Sequence, residues 1–355
     1  MNTVTQKQTE YYPYFDFLRF TLASIVVLGH DHIFGEHVGL WEHAGNFSVQ
    51  IFFALSGFLI GNVLINTSRQ NLYHFYFNRS IRIWIPYFIA LALIVIAGAL
   101  HDHINGKWLE FVMYELSFVY NLFGSPQLAT FKNYMPLQGT SNHFWSVNAE
   151  EQFYLIAPLL LVLANKKFGQ HTLTWLILAV VAWYTQTYSS IVFGILSIIL
   201  VKNYGEYYQN QKIKILLLII CLVSLYGFFC TLIPYDLIAP FCAISIVLLL
   251  AIKGNKNNLG AFLGGISYPL YLNHWIGVFV ANALLKPFSL NNSLYRLYLE
   301  LMINLVIAGI LFMLIEKPIL ARRNALYTLS RGKIACYSAY VLVFTGITYG
   351  LTRAI

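Results

Sequence analysis

The sequence predicts an all-α fold, a polytopic transmembrane bundle of about 10–11 spans. Two observations predict it. Of the 355 residues, 58% are hydrophobic and 10% charged, against roughly 45–50% and about 25% in a soluble chain. Long apolar runs also use most of the length, leaving nothing for an independent soluble domain. A soluble enzyme is excluded on these grounds. The formal charge of +8 comes from 22 basic residues scattered between apolar runs, the pattern of topology signals rather than of a nucleic-acid stripe. Cys221, Cys230, Cys242 and Cys336 lie in apolar runs without CxxC spacing, so they read as small core residues, not as a disulfide framework or zinc site. Residues 1–13 are polar, carry only Lys7 and Glu10, and precede no small-residue cleavage site, so no removable signal peptide is expected.

In chain order the runs fall at about 14–33, 47–66, 82–100, 144–164, 172–186, 188–202, 213–231, 235–252, 262–284, 297–316 and 334–351. The pair at 172–202 is short, with Gln186 and Ser189 between its halves, and as one broken helix it would invert everything downstream. Basic residues decide for two spans. With the N-terminus in the cytoplasm, sixteen Lys and Arg, from Lys7 to Lys333, lie inside. Five lie outside, at Lys107, Lys132, Lys286, Arg296 and Arg353, the bias that the positive-inside rule predicts. Residues 101–143 then form a large external loop whose aromatic residues, with Gly106, Gly124, Pro126, Pro136 and Gly139, suit a partly embedded cover over a site. The whole chain, 1–355, reads as a single membrane-embedded domain with a short cytoplasmic tail and an extra C-terminal span at 334–351.

A charge at bilayer depth costs at least ~2.5–3.5 kcal/mol, so ionisable residues within spans are candidates for function. Asp16, Arg19 and His30 are such residues on the first span. Eleven residues turn a helix about 20° past three full turns, placing Arg19 and His30 on one face roughly 16 Å apart. Asp16, three residues before Arg19, is spaced to neutralise it. Histidine, with a pKa near 6.5, can take a hydroxyl proton and return it. Arg79 and Arg82 are three apart at the inner end of a span and can face one ligand, and two guanidinium forks suit phosphate. In residues 143–158, HFWSVNAEEQFYLIAP, two carboxylates are adjacent. About 100° separates them on a helix, so one of Glu150 and Glu151 is expected to face the interior and the other to reach the interface. The HDH triplets at 30–32 and 101–103 space their histidines two apart with no cysteine nearby, so no metal site is expected.

These residues resemble one family, the acyltransferase-3 group of integral membrane O-acyltransferases that decorate bacterial surface polysaccharides. FDFLRFTLASIVVLGH is similar to its opening signature, with Arg19 and His30 in the matching positions. IFFALSGFLI (51–60), FNRSIRIWIPY, FWSVNAEEQFYLIAPLL, ISYPLYLNHW (266–275) and IEKPIL (315–320) resemble its later motifs in order. The resemblance implies transfer of an acyl group, usually acetyl from cytoplasmic acetyl-CoA, to a glycan hydroxyl outside a bacterial inner membrane. It implies roles for His30 as essential histidine, Arg19 as its paired arginine, Arg79 and Arg82 on the CoA side, and Glu150 as the WS-motif acid. Asp16, Ser56, Trp145, Glu151, Tyr154, Tyr271 and His274 are expected to support substrate or the fold. Ser48, Val49 and Gln50 stand where the family often has Gly-Val-Asp, and Asn273 replaces a frequent tryptophan. The expected partners are acetyl-CoA, a glycan or lipid-linked polysaccharide acceptor and membrane lipids, without metal or nucleic acid. The alternative is a proton-coupled transporter or flippase using Arg19, His30 and Glu150 as a relay, whose hallmark of repeated halves is not visible.

Overall fold

The structure, a computed structural model, describes residues 11–30, 43–230, 232–290 and 293–353. Each predicted run coincides with a helix. In order these are α1 (Pro13–Gly29), α2 (Ala44–Ile65), α3 (Leu72–His101), the short α4 (Gly106–Leu116), α5 (Trp145–Pro158), α6 (Thr172–Thr185), α7 (Ser189–Tyr204), α8 (Gln211–Phe229), α9 (Tyr235–Leu250), α10 (Asn258–Leu285), α11 (Leu294–Leu311) and α12 (Leu329–Arg353). The fold is an all-α polytopic bundle. Five helical stretches, Ala44–Ile65, Arg69–His101, Gln211–Phe229, Leu294–Leu326 and Leu329–Arg353, are long and apolar enough to cross a membrane.

Contacts at the helix ends fix the up-and-down order. Tyr11 accepts from the Gly254 amide at 3.0 Å and Arg69 donates to the Leu163 carbonyl at 2.8 Å, so the start of α1, the end of α2, the end of the α5 run and the start of α10 share one face, here called the near face. The doubtful pair is a true hairpin. Asn203 at the end of α7 donates to Thr172 at the start of α6 at 2.9 Å, and the reversal runs through Gln186 and Tyr188, both left-handed. At the opposite face Trp183 donates to the Leu237 carbonyl at 2.9 Å.

Two glycines let α2 and α7 touch backbone to backbone. A Cβ on Gly57 would overlap the Ile191 carbonyl, and one on Gly194 would sit 2.7 Å from the Phe58 nitrogen. Close approach of this kind gives helices in lipid the dispersion contact that the hydrophobic effect no longer supplies. Arg296, counted on the outer side, lies on α11, buried and 3.1 Å from Glu300 one turn on. Glu300 pairs with it within the protein. One turn further, Asn304 accepts the Gly277 amide of α10 at 2.9 Å. Three cysteines are buried as expected, but Cys230 is exposed at the end of α8, a helix that turns most of its surface outward.

Candidate active site

Helix α5 organises the site because its two faces do different things. Ser146, Glu150 and Tyr154 recur every four residues, the period that stacks side chains on one helix face, and all three line a cavity of about 780 Å³. Asn148 and Gln152 point the other way. Asn148 accepts the Tyr120 amide at 3.0 Å and donates to the Phe144 carbonyl at 2.9 Å, while Gln152 donates to the Phe118 carbonyl at 2.6 Å. One helix thus builds the cavity wall and ties down the 101–143 segment.

The cavity begins among Tyr11, Tyr12, Asn62 and Asn66 at the near face and runs inward to Ser146 and Tyr271. Arg19, Arg79 and Arg82 line it, with Asp16, Glu150 and Glu316 as the acids among them. Arg19 is 3.3 Å from Asp16, which also accepts from the Tyr11 hydroxyl. The neutralising role expected of Asp16 is therefore present, and Arg19 still faces the chamber. Arg79 lies over the rings of Phe75 and Tyr154, 5.8 and 5.4 Å from their centroids. Glu150 accepts hydrogen bonds from the Ser56 and Tyr154 hydroxyls. Glu151 does not reach the interface. It is 3% exposed and accepts from Trp84 Nε1 at 2.9 Å, because α3 covers the flank of α5 that would otherwise meet lipid. Trp145 is outside the cavity, packed edge-on against Phe53 at 5.8 Å.

His30 caps the C-terminal end of α1, the helix that carries Arg19, but does not line the cavity. It meets two other imidazoles, with ring centroids 5.0 Å from His274 and 6.2 Å from His143, which are themselves 4.6 Å apart. Nδ1 of His30 is 2.8 Å from the Val26 carbonyl and Nδ1 of His274 is 2.8 Å from the Tyr271 carbonyl. Since a carbonyl only accepts, both rings carry their proton on Nδ1, and Nε2 is the basic nitrogen of each. His143 differs, with Nδ1 3.1 Å from the Thr140 carbonyl and Nε2 3.2 Å from that of Leu272. Burial and the neighbouring His30 push its pKa down to about 3, against the pull of the two carbonyls.

The segment that delivers His143 is strained. Leu137, Gln138 and Gly139 are consecutive left-handed residues with φ of 45°, 53° and 75°, a conformation that costs a residue bearing a Cβ ~1–2 kcal/mol. Asp102 holds the turn by accepting from the Leu137 amide at 2.8 Å and Trp108 Nε1 at 3.2 Å. Burial raises the Asp102 pKa, but these bonds and that from His101 outweigh it and hold the carboxyl below the usual range. Glu115 accepts from Ser141, two residues before His143, and burial lifts its carboxyl to about 8 against that bond. Among the described residues no group of three or more His, Cys, Asp or Glu side chains is arranged to hold a metal ion. Asp31 and His32 of the first HDH triplet lie outside the described residues.

The structure therefore brings Asp16, Arg19, Ser56, Arg79, Arg82, Glu150, Tyr154 and Tyr271 to one chamber, with His30 and His274 in a cluster past its inner end. Sequence reasoning missed His143, Ser146 and Glu316 as site residues. Glu316, a carboxyl at the end of an apolar run, carried the same signal as Glu150.

The family profile described as an acyltransferase domain matches residues 12–316. The chain belongs to the acyltransferase-3 family. An uncharacterized protein of Haemophilus influenzae is 35% identical over 130 residues, 34% of this chain and 51% of that protein. The peptidoglycan O-acetyltransferase OatA of Listeria monocytogenes is 29% identical over 186 residues, 47% of this chain and 26% of OatA. This acyltransferase-3 chain thus spans about half the length of the first relative and a quarter of the second. No solved structure matches it. Membership makes the chain an acyltransferase and implies an acyl donor and an acceptor substrate.

Proposed function

We propose that this acyltransferase takes acetyl from acetyl-CoA at the near face and delivers it to a hydroxyl of an extracytoplasmic glycan, with the near face cytoplasmic in a bacterial inner membrane. One observation carries the reading. A chamber bearing three arginines opens toward one face, and a histidine cluster stands past its inner end. Guanidinium groups suit the phosphates of CoA. Orienting the near face inward follows from basic residues such as Arg69, Lys166, Lys167 and Lys202, which crowd that side.

In this mechanism Arg79 and Arg82 hold donor phosphate, Arg19 lines the same chamber on the pantetheine or phosphate side, and Glu150 fixes Ser56 and Tyr154. His30 Nε2 takes the proton of the acceptor hydroxyl, the oxygen attacks the thioester carbonyl, the C–S bond breaks, and the proton passes to the leaving thiolate. That the acceptor is a glycan rests on the family resemblance and on OatA, a peptidoglycan O-acetyltransferase by name. The test uses inverted membrane vesicles of the host given acetyl-labelled acetyl-CoA. Label should enter a glycan fraction only when the chain is present, and isothermal titration of purified protein should show acetyl-CoA binding. Absence of both overturns the proposal.

A further inference from the structure

Among the hydroxyls that line the chamber, those of Ser56, Tyr154, Ser146 and Tyr271 are not equivalent. Those of Ser56 and Tyr154 both donate to the Glu150 carboxylate, and hydrogen bonds to a charged acceptor are about twice as strong as neutral ones. The hydroxyls of Ser146 and Tyr271 have only neutral partners. Tyr271 donates to the backbone carbonyl of His143 at 2.6 Å, and Ser146 Oγ is 2.6 Å from the Tyr271 oxygen. These two protons can rotate onto an incoming oxygen at small cost.

They also stand at the right place. Ser146 and Tyr271 line the innermost part of the chamber, and His274, one helical turn beyond Tyr271 on α10, touches the His30 ring. We infer that Tyr271 and Ser146 form the oxyanion site of the reaction, donating hydrogen bonds to the thioester oxygen as it becomes negative. The inference rests on the acetyl-CoA reading and names two catalytic residues within it. The carbonyl of His143 serves as the resting acceptor, occupying the Tyr271 proton until a thioester oxygen replaces it. No bond to the protein forms: the carbonyl oxygen gains charge as the acceptor oxygen attacks, and returns it when the C–S bond breaks.

The test compares Tyr271→Phe, Ser146→Ala and Ser146→Thr in the labelled-vesicle assay, with acetyl-CoA affinity measured on purified protein. Removal of one oxyanion donor typically costs about 10²–10³ in kcat. Tyr271→Phe should lower the rate at saturating acetyl-CoA by that order while its Kd stays within about threefold of wild type. Ser146→Ala should also lose rate, and Ser146→Thr, which restores a hydroxyl, should recover most of it. Unchanged rates in Tyr271→Phe, or equal rates for the alanine and threonine variants, overturn the assignment while leaving the acetyl-CoA reading intact. Rate and affinity falling together would make the hydroxyls ground-state contacts and also overturn it. Failure of the wild type to bind acetyl-CoA removes the reading beneath it.

Discussion

Gly57 supports the most direct test of how packing positions the chemistry. Its missing Cβ faces the α7 backbone, where a methyl would lie 2.9 Å from the Ile191 carbonyl carbon and 3.2 Å from Gly194 Cα. The nearest atom is the Ile191 carbonyl oxygen, 2.1 Å from that methyl where ordinary contact begins at 3.4 Å, so Gly57→Ala forces α2 and α7 apart by more than ~1 Å, and backbone cannot rotate away as a side chain would. Overpacking on this scale costs ~1–3 kcal/mol. The neighbouring residue, Ser56, donates to Glu150. A displacement of ~1 Å at that point can cost about 10²-fold in rate. The assay is glycan labelling from acetyl-CoA in vesicles, with thermal inactivation of the purified protein in detergent as the stability measure. Gly309→Ala on α11 is the control, since nothing lies within 4 Å of its would-be Cβ. Gly57→Ala should lose both stability and rate. If it matches Gly309→Ala in both, the backbone contact is not what seats Ser56, and the reasoning fails.

His30→Ala should abolish transfer with insertion intact, read as protein level in the membrane fraction against glycan acetylation; near-normal acetylation would remove His30 from the mechanism. Arg79→Ala with Arg82→Ala should weaken acetyl-CoA binding on the order of tenfold or more per arginine, since charge-assisted bonds are worth ~1.5–3 kcal/mol; an unchanged Kd would leave these residues to topology alone. Single cysteines at Gln70, Thr130 and Gln209, in a background without native cysteines, should react with an impermeant thiol reagent on intact cells only at 130; labelling at 70 instead inverts the orientation. Glu115, lifted to about 8 from an ordinary 4.5, binds its proton more tightly folded than unfolded, so its contribution to stability is greatest below about pH 4.5 and falls as pH rises toward 8. Thermal midpoints of wild type should decline over that window more steeply than those of Glu115→Gln, and equal slopes would refute the buried neutral carboxyl.

The helices were legible because lipid favours long uninterrupted apolar runs, about 20 residues for a full span, and even the shorter ones at Thr172–Thr185, Ser189–Tyr204 and Tyr235–Leu250 are continuous apolar runs. Apolar runs located all eleven helices, and the charge bias separated α6 from α7 before Asn203 and Thr172 showed the hairpin. The chamber was half legible. Arg19, Glu150 and the arginine pair stood out as polar groups in apolar surroundings, which one-dimensional reading detects. His143 did not, since it closes a polar loop where a histidine carries no penalty, and only tertiary folding through the left-handed turn at 137–139 sets it against His30 and His274. The same blindness misjudged Glu151. Whether a charge near a span end meets water or a neighbouring helix depends on which helix covers it, and for Glu151 the answer was α3.

The Asn304 contact with the Gly277 amide sets the phase of α10 against α11. Sliding a helix by one residue advances it 1.5 Å and rotates it by about 100°, and a seam of leucines, isoleucines and valines in lipid offers several such settings at similar energy. An amide oxygen that reads one backbone N–H has a single setting. Tyr271 and His274 occupy the same helix three residues apart, so any other setting would swing both away from the chamber and from His30 at once. Asn304 thereby works as an index mark, coupling the rotational setting of a whole helix to the alignment of groups one and two turns before it.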